Sequence, residues 1–200
     1  MTIPQTIRRR DRWADWTVFA LVAVALILGW AMREAILFHT VPFTIAEAGV
    51  SGRCPATWMR ETGDDPLLRV RDPLGGEFDT VLELRSRPLA AEAEPAMVLD
   101  ALALERAGQV TAYQPLSTDR VLVGGETATR RTFTYVYVDR NPYVNRLPVV
   151  VRGTDLALRD GDRIIVVTLL AGVDDFEAYH RHFRTLVESL RFRSGQALEF

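Results

Sequence analysis

The 200-residue chain has no lysine, and all 24 of its basic side chains are arginine. It carries one cysteine, Cys54, and three histidines, His39, His180 and His182. A single cysteine excludes an internal disulfide, so stability has to come from a packed core. Without a Cys/His cluster the spacing of a zinc or haem site is missing, and no metal or cofactor is expected. The basic residues are not gathered either. Past residue 34, 19 arginines face 23 acids, a mildly acidic balance without the basic stripe of a nucleic-acid binder. Arginine in place of lysine reads as the coding bias of a GC-rich genome.

What the chain does have is a long apolar run near its start. Trp16–Met32 (WTVFALVAVALILGWAM) is seventeen residues without a charge, directly behind Arg8-Arg9-Arg10-Asp11-Arg12. As a helix it covers roughly 25 Å, slightly short of a ~30 Å hydrocarbon core. Ala35–Phe38 can lengthen it to residues 16–38. Trp13, Trp16 and Trp30 stand near its ends, where indole rings prefer the headgroup level. Gly29 joins Ala20, Ala23, Ala25 and Ala31 in a small-residue surface suited to helix packing. Four arginines precede the run and Arg33 follows it. The positive-inside bias therefore makes residues 1–15 a cytoplasmic basic tail and places the later chain outside the cytoplasm. A cleaved signal peptide shares the basic start and apolar middle, but its best small-residue site, Gly29-Trp30-Ala31, is followed at once by Met32-Arg33-Glu34. The expected location is the cell membrane, single-pass, with the lipid bilayer as first partner.

Residues 39–56, punctuated by Pro42, Gly49, Gly52 and Pro55, read as a linker; 57–193 as one exported domain; and 194–200 as a C-terminal tail. Within the domain, strands are expected at Thr57–Glu61, Leu67–Arg71 and Thr80–Ser86, the last alternating Val81/Glu83/Arg85 against Leu82/Leu84. Pro95 opens a helix over Ala96–Ala107, with Met97, Ala101 and Leu104 on its apolar face and Val98 and Leu102 beside them. More strands follow at Val110–Ser117, Arg120–Val123, Thr127–Val138, Pro148–Arg159 and Ile164–Leu170. Gly124-Gly125 and Asp160-Gly161-Asp162 close hairpins. A last helix begins near Asp174, which with Glu177 makes a capping box, and buries Phe176, Tyr179, Phe183, Leu186, Val187 and Leu190. This order indicates an α+β fold: a mostly antiparallel sheet covered by helices.

Several short stretches resemble PsbP-like domains: Pro55-Ala56-Thr57-Trp58 followed by Asp65-Pro66; Val121–Ala128 ahead of an aromatic strand; Gly161–Thr168; and the close at Ser189-Leu190-Arg191-Phe192. Together they span roughly residues 42–193. The resemblance implies an α-β-α sandwich, commonly exported and often a non-catalytic accessory subunit of a membrane complex, as in the extrinsic subunit of photosystem II. This chain departs from that subunit in its own membrane anchor and its lack of lysine. A photosynthetic role would rest on fold analogy alone.

No catalytic, cofactor-binding or metal-binding residue emerges. His180 and His182 are two apart on a helix, about 200° around it, and read as surface residues. Cys54 reads as a packing residue in the linker. Asp64-Asp65, Asp160/Asp162 and Asp174-Asp175 fit turns and caps rather than a calcium loop. Gly75-Gly76 and Gly124-Gly125 lack the Lys and Ser/Thr of a phosphate loop, and no serine sits in a nucleophile elbow. One loop stands out. Asp139–Arg146 interrupts two strong strands, and Arg140, Asn141, Tyr143, Asn145 and Arg146 are the residue types that recur at interface hot spots. The expected function is thus a membrane-anchored accessory or scaffold subunit bound to a membrane protein complex. The alternative is an extracytoplasmic domain that binds or senses a small apolar ligand between sheet and helix, with an enzyme ranked last.

Overall fold

The computed structural model describes residues 5–89, 94–139 and 147–192, with side chains described from residue 16 onward. The first element is α1 (Gln5–Leu37). Its apolar part, Trp16–Leu37, is 22 residues long with mean hydropathy 1.9, and none of it is buried. At ~1.5 Å per residue that part measures about 33 Å, long enough to cross a hydrocarbon core. Trp16 and Trp30 are exposed, and Gly29 has open space around it. The side chain of Trp13 lies outside the described residues.

After α1 come β1 (Thr40–Ile45), β2 (Val50–Pro55), β3 (Met59–Thr62), β4 (Leu68–Asp72), β5 (Thr80–Pro88) and α2 (Pro95–Gln109). The rest is β6 (Thr111–Val123), β7 (Glu126–Tyr137), β8 (Val149–Asp160), β9 (Arg163–Gly172), α3 (Phe176–Ser189) and β10 (Arg191–Phe192). A second compact unit begins at Thr40, so the domain starts well before residue 57. Residues 39–56 are no linker. Their prolines and glycines punctuate a β1–β2 hairpin whose Phe43, Val50 and Cys54 are buried in the main core. Pro42 is tolerated because β1 is an edge strand of the small sheet β1-β2-β10. The tail at 194–200 lies outside the described residues.

The main sheet has seven antiparallel strands in the order β3-β4-β5-β9-β8-β7-β6. β9 lies at its centre, and its run from Ile164 to Leu169 is buried on both faces, as a continuous apolar strand requires. One face packs Leu82, Leu84, Leu156 and Val167 against α3 and the small sheet. The other packs Ala157, Ile164 and Val166 against Leu99 and Leu102 of α2. Gly124 and Gly125 both take positive φ, 56° and 82°, in the two-residue turn that joins β6 and β7. Gly153 serves a different need. The Phe133 ring lies directly over it, where a Cβ would collide with ring atoms.

Four local expectations change. Val110–Ser117 and Arg120–Val123 are one strand, β6, bent by register shifts between Thr111 and Gln114 and between Pro115 and Ser117. The cap of α3 is Asp175, whose side chain makes no capping bond; Glu177 instead meets Arg152 at 3.4 Å. His182 is no surface residue: it is buried and packs against the rings of Trp58 and Tyr179 at 5.3 and 6.2 Å. In α2 the expected apolar face is turned around, with Met97 60% and Leu104 78% exposed. The face that docks carries Leu99 and Leu102 with Arg106 in line, because the sheet beneath offers a carboxylate as well as apolar groups.

Candidate interaction site

The α2 side of the sheet carries a polar row that crosses strand after strand in register. Arg69 (β4), Glu83 (β5), Thr168 (β9), Asp155 (β8), Arg131 (β7) and Thr118 (β6) are successive neighbours. Buried charge is tolerated only when paired and hydrogen-bonded, and each charge in the row is. Glu83, 3% exposed, takes Arg69 on one carboxylate oxygen at 2.9 Å and Arg85 on the other at 3.0 Å. Asp155, 1% exposed, accepts the Thr168 hydroxyl at 2.6 Å and both terminal nitrogens of Arg106 at 2.7 and 3.1 Å. Arg131 donates to Thr118 at 3.0 Å and to Asp100 of α2 at 2.6 Å. Two arginine–carboxylate pairs thus pin α2 to the sheet. The Arg106 guanidinium also lies 4.2 Å above the centre of the Phe133 ring.

Beside the C-terminal end of α2 a groove of about 410 Å³ runs over the sheet. Its floor is Val81, Leu170 and Tyr135, and Phe78 and Val110 form its walls. Arg69, Arg71, Glu61 and Asp79 sit at the rim. Phe78 packs edge-on against Tyr137 at 5.2 Å, and Tyr113 lies 5.4 Å from Phe133. Ala112, the residue before Tyr113, adopts φ 53° at the first irregularity of β6. Burial pushes the Tyr135 phenol well above its ordinary range, so it offers a neutral hydroxyl. A smaller chamber of about 180 Å³ continues toward Glu83 and Arg106. Both oxygens of Glu83 are engaged by arginines, and the rim of the groove carries charges of both signs. Among the described residues no cluster of His, Cys, Asp or Glu could hold a metal ion.

The loop residues singled out in the sequence, Arg140, Asn141, Tyr143, Asn145 and Arg146, lie outside the described residues. The start of that loop is described. Val138 and Asp139 line a depression with Gln109, Val110 and Tyr135 that adjoins the groove. Cys54 is 1% exposed on β2, and burial raises its thiol above the ordinary range while Arg60 opposes that rise. Arg106 and Glu83 were the residues that sequence reasoning missed. The signal was present for Arg106, since Leu99, Leu102 and Arg106 fall at i, i+3 and i+7 on one helical face.

No family model matches the sequence, and no curated protein does. Solved structures do. Cyanobacterial PsbP (CyanoP) from Synechocystis sp. superposes with a TM-score of 0.55 at 10% identity, over 76% of this chain and 92% of that one. The fold is PsbP-like. The Ran-binding protein Mog1p of Saccharomyces cerevisiae shares it, with a TM-score of 0.53 at 11% identity over 77% of this chain and 95% of its own. LpqN of Mycobacterium tuberculosis, described as involved in cell envelope biogenesis, superposes more loosely, at 0.48 and 15% identity over 76% and 89% of the two chains. At these identities the likeness concerns the PsbP-like fold alone. It matches the α-β-α layering built here by α2, the seven-stranded sheet and α3.

Proposed function

We propose that this chain is a membrane-anchored, non-catalytic accessory subunit whose PsbP-like domain binds a membrane protein complex on the extracytoplasmic side. The observation that carries this reading is the Trp16–Leu37 helix, apolar and unburied over 22 residues, joined to β1 by only Phe38 and His39. A domain on so short a connection stays beside the bilayer, where a modest affinity for a neighbouring membrane protein suffices. Arg8, Arg9, Arg10 and Arg12 ahead of the helix, against Arg33 behind it, support a cytoplasmic N-terminus.

The groove beside α2 and the loop that starts at Asp139 form the surface for the partner. The partly exposed Tyr137, Val110 and Leu170 around the groove supply apolar area, and the mixed-charge rim supplies orientation. A protein of the same fold that is called Ran-binding supports the use of this scaffold for protein binding. Tyr143 and Arg146 are the contacts we assign to the loop. A second reading, a small-ligand site, is favoured by the groove's size, which is within the range of ligand pockets at about 410 Å³. Affinity purification from native membranes in mild detergent separates the two. Accessory binding requires a co-purifying membrane protein that is lost from the Y143A/R146A variant. Recovery of the chain alone from native membranes, with an organic small molecule bound, would replace the first reading by the second.

A further inference from the structure

We propose that the groove beside α2 binds a small organic cation: an amine on an apolar body whose far end carries a hydrogen-bonding group. This rests on the small-ligand reading of the groove and names the class of ligand. Tyr135 is the first support. Its side chain is only 6% exposed, yet it borders the groove, the chamber toward Glu83 and the depression that begins at Gln109. Val110 borders all three as well. The Tyr135 hydroxyl has no hydrogen-bond partner among the described residues. Polar atoms this deeply set are almost always hydrogen-bonded, so the hydroxyl marks where a visiting donor or acceptor belongs. Val81 and Leu170, with Val110, line the groove with apolar surface suited to the body of a ligand.

The charges at the rim set the sign of the ligand. Arg69 is engaged by Glu83 at 2.9 Å and Arg71 by Asp79 at 3.3 Å. Glu61 is the register partner of Arg69 across β3 and β4, but that arginine bonds Glu83 instead. Glu61 and Glu77 are both exposed at the rim and form no ion pair among the described residues. The surplus charge at the groove is therefore negative. An anion would meet arginines already committed to carboxylates, whereas an ammonium group meets two carboxylates that are not. Tyr137, 36% exposed, lines the same groove, and its ring attracts a cation through its quadrupole.

The test uses the full-length chain with isotope-labelled tyrosine rings in nonionic detergent micelles, titrated by NMR with probes of one shape. Tyramine carries both the amine and the hydroxyl. Phenethylamine lacks the hydroxyl, para-ethylphenol lacks the amine, and para-hydroxyphenylacetate reverses the charge. Tyramine is expected to shift the Tyr135 and Tyr137 signals and to bind about threefold or more tighter than phenethylamine or para-ethylphenol, the scale of one hydrogen bond or one exposed ion pair. Y135F, read at Tyr137, lowers tyramine to the affinity of phenethylamine and leaves phenethylamine itself unchanged. E61Q/E77Q lowers tyramine to the affinity of para-ethylphenol and leaves para-ethylphenol unchanged. Variants that weaken every probe alike act only through the fold, and overturn the assignment of these residues. Binding of para-ethylphenol or para-hydroxyphenylacetate as tight as that of tyramine overturns the cation and leaves the groove a ligand site. Flat titrations with all the probes at both tyrosines remove the small-ligand reading together with the inference.

Discussion

Replacing Asp155 by alanine measures the buried pair that holds α2 on the sheet. The carboxylate is 1% exposed and receives two bonds from Arg106 and one from Thr168. Its removal leaves the Arg106 guanidinium, 13% exposed, without its bidentate partner, with the Phe133 ring, Tyr113 and the arginine-engaged Glu83 as its remaining company. Stranding a buried charge in this way costs about 3–5 kcal/mol. For a domain of about 160 residues, starting at Thr40, each kcal/mol lowers Tm by roughly 2–4 °C, so D155A melts roughly 6–20 °C below wild type. R106M strands the carboxylate instead, with only Thr168 donating to it, and falls in the same range. The double variant D155A/R106M removes both charges and returns to within about 2 kcal/mol of wild type, because a paired and an absent charge are nearly equivalent. Thermal unfolding of the full chain in detergent micelles, followed by near-ultraviolet circular dichroism, reads all four proteins. If the double variant loses the sum of the two single losses, the pair is not coupled and the account of how α2 is held fails.

Three further outcomes follow from other parts of the fold. G153A forces a Cβ into the Phe133 ring and destabilises by about 1–3 kcal/mol, whereas G108A, with open space around it, costs nothing measurable in the same melt; equal effects would contradict the packing described. Burial lowers the pKa of His182, with Asp72 opposing and Arg181 adding to the shift. The folded state therefore disfavours the proton: stability is full above the ordinary value near 6.5 and declines as pH falls below it. H182F removes that part of the decline, and unfolding curves between pH 7 and 5 that are parallel for wild type and H182F would refute the assignment. Cys54 resists an aromatic disulfide reagent in the native chain and reacts only on unfolding, since burial both raises its pKa and denies access. Rapid native labelling would place the β1–β2 hairpin wrongly.

The strands were legible where a single physical requirement decided them. β7 combines aromatic and β-branched residues, and β9 is apolar throughout because both of its faces are covered. The hairpin at 39–56 was not legible, because Pro42, Gly49, Gly52 and Pro55 punctuate a short edge hairpin just as they would a linker. Its strand character comes from burial of Phe43, Val50 and Cys54 against α3, a long-range fact. β10, at two residues, exists only as a partner for β2.

α2 shows why the candidate site was harder to read than the fold. Periodicity finds an apolar stripe and assumes that it points inward. This helix has apolar residues on two opposite faces, Leu99 with Leu102 and Met97 with Leu104, and local pattern cannot rank them. The sheet ranks them, because Asp155 and Arg131 in the buried row select the face that carries Arg106 and brings Asp100 within reach. Choosing that face through charge leaves the second stripe in solvent and a groove over the nearly buried Tyr135 past Val110. A purely apolar contact would have allowed α2 to roll and bury Met97 and Leu104. The ion pairs fix which face of α2 docks, so D155A is expected to lose stability, while the conservative D155E, which keeps a carboxylate for Arg106, retains more of it.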